Sequence, residues 1–304
     1  MSGASLQVEE AVPLGHALIL RVAADSGVRA LAIKGPVLAL QGLRPPKTSV
    51  DIDVLVDPVK MWILQAALER LGWIDDGAYD TPSIVPLHSV NHRHRLWPCE
   101  VDLHHWFPGF LASPENVFEV LWARRSTVRI AHVDIAVCDQ AGNVAIAALH
   151  YLRDQYKSHE LRDLAAVVRR DWNAEQVADL AALAADTGSA QTLRPLLDLI
   201  GAPLIPDRRP LLVPIADWEM RARTETNEVL PWIVELSRTP WPLRPTFLWR
   251  AFWLRKEYFA KPSPGRDLTN CELLRARWLR VRRGMRVMPL AWREYRRLRG
   301  RSGE

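Results

Sequence analysis

The chain has 304 residues, 48% of them hydrophobic and 25% charged, enough to bury a full core and to divide into more than one domain. The apolar run from Val12 to Leu20 contains Pro13 and His16 and soon meets Arg21 and Asp25, so it is too short and too broken for a membrane span or a signal peptide, and a cytoplasmic setting is expected. The net charge is +5, but between Arg275 and Arg301 eleven arginines stand against Glu294 alone, about +10, leaving about −5 for the rest of the chain, so the basic character is local.

In chain order, Leu6 to Asp25 carries apolar residues at helical spacing, and Val28 to Ile33 reads as a short buried strand. A turn at Lys34-Gly35 follows, with Pro36 in the first turn of a short helix through PVLALQGL. Arg44 to Ser49 (RPPKTS) has two prolines among turn formers, which excludes a helix or a central strand. Val50 to Val56 alternates as V-D-I-D-V-L-V, a strand with Val50, Ile52 and Val54 toward the core. Pro58 is expected to open a helix that reaches about Leu71 and closes at Gly72. His88 to Trp97 and Glu100 to Phe107 read as strands joined at Pro98, and Val128 to Val137 as a last strand.

After Asp139 the texture changes. Ala and Leu recur at helical spacing from Asn143 to Arg170, Glu175 to Asp186 and Ala190 to Ile200, with no strand signal. Prolines at 203, 206, 210 and 214 mark a linker, and Trp-rich segments and an Arg-rich helix follow. The order is mixed α/β followed by all-helical, which gives the expectation of an α+β fold with an all-helical C-terminal region and units at 1–138, 139–202 and 203–304. Three cysteines at wide spacing, Cys99, Cys138 and Cys271, form no disulfide framework and suit a reducing compartment.

The chemistry concentrates in the DID strand. Side chains two residues apart in a strand share a face, so Asp51 and Asp53 project together, and two adjacent carboxylates resist ionisation unless a cation sits between them. Mg²⁺ is commonly held by one or two carboxylates plus substrate phosphates. In EVDLHHW, Glu100, Asp102 and His104 share one face of a strand, which makes Asp102 the candidate third acid. Gly35, after a strand and before a helix, lets backbone N–H groups approach an anion, with Lys34, Arg44 and Lys47 adding charge.

The run IKG…LR…S.DIDVLV, then VDLHHW, then ALHYL…LRDLAAVV, resembles the uncharacterised bacterial nucleotidyltransferase family of the DNA polymerase β-like superfamily, over roughly Leu18 to Leu199. The superfamily's Gly-Ser turn stands here as Lys34-Gly35-Pro36, and the stretch from Gly35 to Asp51 is long for it. The resemblance implies a polymerase β-like domain, a small mixed sheet with helices on one side, with Asp51, Asp53 and Asp102 as catalytic residues and Mg²⁺ ligands. Two ions are expected, with Mn²⁺ as a substitute, and Lys34, Gly35, Arg44, Ser49 and His104 lie on the nucleotide. The implied reaction is attack of an acceptor hydroxyl on the α-phosphorus of an NTP, ATP favoured, with pyrophosphate leaving. The acceptor is unassigned: a small molecule, peptide or protein, or alternatively tRNA, as in toxin-like nucleotidyltransferases. A catalytically inactive nucleotide-binding scaffold is the reading from a different class.

Five of the nine histidines, His88, His92, His94, His104 and His105, fall within 18 residues, but their spacing matches no structural zinc module. His150, Arg153, His159 and Asp163 are polar members of an apolar helical pattern and face either the cleft or solvent. In the last helix Leu274, Trp278, Val281, Met285, Met288, Trp292 and Tyr295 form an apolar seam, with a kink or break expected before Pro289. The arginines beside it suit solvent, RNA, an anionic membrane or an acidic partner.

Overall fold

A computed structural model describes residues 6–75, 88–154, 157–224, 229–252 and 269–301. Of the described residues, those from 6 to 75 and from 88 to 218 form one compact unit, and those from 219 onward form a second. The helices from Gln140 to Ile200 therefore share a unit with the sheet.

The first unit is α+β. Its elements are α1 (Val8–Asp25), β1 (Ala30–Ala32), α2 (Gly35–Leu40), β2 (Asp51–Val56), α3 (Met61–Arg70), β3 (Trp73–Asp75), β4 (Ser89–His94), β5 (Glu100–His104), α4 (Pro114–Ala123), β6 (Ser126–Ile130), β7 (Val133–Val137), α5 (Gln140–Arg153), α6 (Ser158–Asp171), α7 (Ala174–Asp186) and α8 (Arg194–Ile200). The seven strands run in the order β3-β4-β5-β2-β1-β7-β6. β2 pairs parallel with β5 and β1 parallel with β7, and the other pairs are antiparallel.

The core follows strand alternation. Ile52, Val54, Val56, Val101 and Leu103 pack with Ile19, Leu20 and Ala23 of α1 and with Leu64 and Leu68 of α3. Gly15 permits this approach, since a Cβ there would stand 2.1 Å from Ile52 Cδ1. Val50 does not join the core. It lies 60% exposed before β2 begins, because the strand pairs only from Asp51 onward.

Several boundaries depart from the sequence reading. The expected strand Val128 to Val137 is a hairpin, with Ile130 opposite Val133 and positive φ at both Ala131 (48°) and His132 (64°). These are the angles of a two-residue primed turn, made here without the Asn or Gly that normally announces one. β3 is a strand of three residues, too short to show alternation, and α3 begins three residues after Pro58. The segment Asn143 to Arg170 is two helices, because Asp154 leaves helical geometry at the end of α5.

In the second unit α10 (Leu230–Arg238), α11 (Arg244–Phe252) and α12 (Asn270–Arg301) are helical; α9 (Ile215–Thr224) spans the division between units. Leu230, Ile233 and Val234 of α10 pack with Ala291 and Tyr295 of α12. The expected seam is about one residue out of phase. Trp278 is 62% and Met285 54% exposed, whereas Gly284 faces Val229 at the start of α10 and Ala291 packs with α10 itself. Gly284 and Ala291 make the close contact, Tyr295 is the member of the expected seam that joins it, and Trp278 and Met285 lie outside it. The helix also continues through Pro289 without a break. Among the described residues no helix is long and apolar enough to cross a membrane.

Candidate active site

The parallel pairing of β2 with β5 sets Asp53 opposite Asp102 and Asp51 opposite Glu100. Since Ile52, Val54, Val101 and Leu103 face the core, the acidic side chains share the other face of the sheet. His104, two residues beyond Asp102 on that face, is 1% exposed. Its Nε2 lies 3.0 Å from Asp53 Oδ1 and 3.0 Å from Asp102 Oδ2. Asp53, Asp102 and His104 offer ligand atoms within 4.8 Å of one another, a spacing that could hold a metal ion. Asp51 stands outside this trio at the exposed start of β2.

The turn beside these carboxylates is strained. Lys34 has φ 55° and ψ −143°, and Gly35 follows at φ 44°; a non-glycine residue there costs of order 1–3 kcal/mol. This conformation sends Lys34 Nζ to Asp53 Oδ1 at 2.7 Å. Arg44 donates to Gly35 O at 2.8 Å and Ser49 Oγ donates to Asp51 O at 3.1 Å. The long loop thus folds back, with Arg44 on the turn and Ser49 on the start of the acidic strand.

Charge balance follows from these contacts. Burial alone would raise the Asp53 carboxyl, but Lys34 and His104 outweigh it and hold the group below the usual carboxylate range. Asp102 is likewise depressed against its burial, by His104 and a hydrogen bond from Ser89, with Asp53 opposing. Asp51 goes the other way, raised by partial burial of its carboxyl and then by the charges of Asp53, Glu100 and Asp102.

A cationic wall from α5 and the start of α6 lies close by. Arg153 Nη2 is 3.3 Å from His150 Nδ1, and Lys157 Nζ is 3.0 Å from His150 Nε2. Burial, then Lys34, Lys157 and Arg153, push His150 down to about 2, so it is neutral at pH 7. Phe107 is the shared floor: Lys34 Nζ lies 5.2 Å and the Arg153 guanidinium 5.4 Å from its ring centre. On the α1 side, His16 Nδ1 donates to Val12 O at 2.8 Å. Its buried Nε2 has no hydrogen-bond partner and faces Gly35, 3.7 Å from where a Cβ would stand.

The structure therefore brings Lys34, Gly35, Asp53, Asp102 and His104 together, with Asp51, Arg44 and Ser49 at the rim. His150 and Arg153 join the site, whereas His159 is an exposed neighbour of Glu160. His92 bonds to Val90 O and His94 packs on Trp73, and neither enters a metal-ligand group among the described residues. Lys157, Phe107 and His16 are additions. Only His16, a polar residue in an apolar helical stripe, left a trace in the sequence.

The family described as "Uncharacterised nucleotidyltransferase" matches residues 16–204. No curated protein matches the chain. Among solved structures, the antibiotic-resistance factor ANT(2'')-Ia is 14% identical, with 64% of this chain and 91% of that one covered at a TM-score of 0.35. An antigenic nucleotidyltransferase-like protein from Paracoccidioides brasiliensis is 11% identical, with 63% and 94% covered at 0.37. A tRNA-processing enzyme is 13% identical, with 91% and 98% covered at 0.27. These TM-scores are too low for the overlays to speak to function.

Proposed function

Since the chain belongs to this nucleotidyltransferase family, we propose that it is a Mg²⁺-dependent enzyme that moves a nucleoside monophosphate from an NTP to a hydroxyl of a small-molecule, peptide or protein acceptor. AMP is favoured, by analogy with the wider superfamily. The observation that carries the reading is the lateral pairing of Asp53 with Asp102 on parallel strands, beside a strained Lys-Gly turn.

The donor set fits a hard divalent cation. Asp53 is ionised, and Asp102 Oδ1 is buried with no hydrogen-bond partner. Asp51, Asp53 and Asp102 are the proposed ligands. When bound, such a cation lowers the charge on the attacking and leaving oxygens. The protein's part is positioning. Lys34, Arg153 and Lys157 offer positive charge to the triphosphate, with Arg44 and Ser49 holding the turn and the strand in register. Asp102, oriented by Ser89, would direct the acceptor hydroxyl at the α-phosphorus and take up its proton. Free thiols at Cys99, Cys138 and Cys271 support a cytoplasmic setting.

The test is incubation with each labelled NTP, Mg²⁺ or Mn²⁺ and a cell extract. Transfer of label with pyrophosphate release is expected, falling at least about 100-fold in Asp53→Asn and in Asp102→Asn. Equal transfer by the wild type and both variants would remove the proposal.

One observation favours tRNA as the acceptor instead. α12 is 32 residues long and Arg-rich, with Arg282, Arg283, Arg286 and Arg293 exposed. RNA binding that weakens steeply with salt and is lost when these four arginines become glutamines supports that acceptor; salt-independent binding speaks against it.

A further inference from the structure

We propose that His104 is itself a ligand of the catalytic cation, adding one imidazole to the carboxylates and making the centre bind Mn²⁺-like ions more tightly than the Mg²⁺ it also accepts. This rests on the reading that Asp53 and Asp102 hold a divalent ion, and not on which group is transferred.

Ligands bound at about 2.1 Å in adjacent octahedral positions are about 3.0 Å apart. His104 Nε2 stands 3.0 Å from one oxygen of each aspartate, the spacing of a vertex adjacent to both. A proton on Nε2 would be shared between two acceptors, whereas a hydrogen bond is directional and favours one. A cation among the three atoms meets a lone pair of each, beside the Lys34 ammonium that already lies 2.7 Å from Asp53 Oδ1.

The ring is also fixed in place. It lies 5.5 Å from the His88 ring and 5.6 Å from Phe107, centre to centre. Nε2 is the atom that meets the carboxylates, and ligation through it leaves the ring proton on the buried Nδ1. Asp51 does not occupy this vertex, because β2 sets it two pairs back, opposite Glu100, and it would meet the ion from another side. Imidazole nitrogen suits first-row transition ions, while Mg²⁺ favours oxygen ligands, so one nitrogen at this position changes which ion binds best.

The experiment is pulsed EPR on the full chain loaded with Mn²⁺ and no nucleotide, at natural abundance and with [¹⁵N]histidine. A directly bound nitrogen is expected, its coupling changed by the isotope, lost in His104→Gln and kept in His88→Gln. In parallel titrations His104→Gln should weaken Mn²⁺ at least about tenfold and Mg²⁺ much less. Bound Mn²⁺ with no coordinated nitrogen, or a coupling that survives in folded His104→Gln, overturns the proposal. If that variant does not fold, the isotope-labelled wild type and His88→Gln decide it. Mn²⁺ released by Asp53→Asn but lacking a nitrogen signal would remove His104 while leaving the carboxylate site standing. Failure of the wild type to bind either ion removes both.

Discussion

At the scale of single residues, the site sets charges against one another, and Asp51 carries the imbalance. Its folded carboxyl is raised above the ordinary value, so the unfolded chain gives up this proton more readily than the folded one. Stability is therefore lost as pH rises through the ordinary carboxylate range, near about 3.9, toward the folded value. Asp51→Asn removes that loss. The variant should melt above the wild type at pH 7, with the gap closing below about pH 4 in thermal scans. Added Mn²⁺ should narrow the gap at neutral pH by stabilising the wild type. This residue was legible in the sequence as half of a DxD pair, as was Asp102, because strand alternation alone fixes which side chains share a face. His104 was legible as a neighbour of Asp102, but its equal distance to both aspartates was not, since that depends on the register of two strands 44 residues apart. Lys157 carried no signal at all, being one lysine at a helix start whose partner His150 lies across a helix break.

Elements position these residues through close contacts. α1 presses on β2 where Gly15 meets Ile52, so Gly15→Ala should overpack the sheet directly behind Asp51 and Asp53. Chemical denaturation is expected to show a loss of about 1–3 kcal/mol, despite alanine's better helix propensity. The β6–β7 hairpin offers the opposite case. Ala131 and His132 both hold positive φ, which neither favours, so replacing the pair by Asn-Gly should stabilise the fold by about 1 kcal/mol. Melting curves of the double variant check this, and an unchanged or lower midpoint would contradict the turn geometry. The same hairpin shows why the sequence merged two strands into one. With no glycine, asparagine or proline at the turn, alternation ran on through it. The packed face of α12 was misread for a related reason, because helix contacts here favour small residues over the bulky ones that mark a seam in sequence.

At the scale of the whole molecule, every proposed metal and nucleotide residue lies in the unit of residues 6–75 and 88–218, and the Arg-rich helix lies in the other. A chain ended at Pro214 should therefore keep Mn²⁺ binding while losing any salt-sensitive RNA binding. Loss of Mn²⁺ binding in a fragment that still melts cooperatively would contradict this division. The α+β character of the first unit and the helical character of the second could be read from the sequence, because apolar periodicity changes at Asp139. Their grouping could not, since periodicity does not say which helices pack on the sheet.

The central claim is that two neighbouring strands present Asp53 and Asp102 to one cation and the phosphates of an NTP. Anomalous scattering from crystals grown with Mn²⁺ and a non-hydrolysable NTP analogue tests it most directly. The account predicts a manganese peak within bonding distance of both carboxylates, with the α-phosphate beside it and the triphosphate running toward Lys34. Nucleotide bound elsewhere, or manganese away from both aspartates, would contradict it.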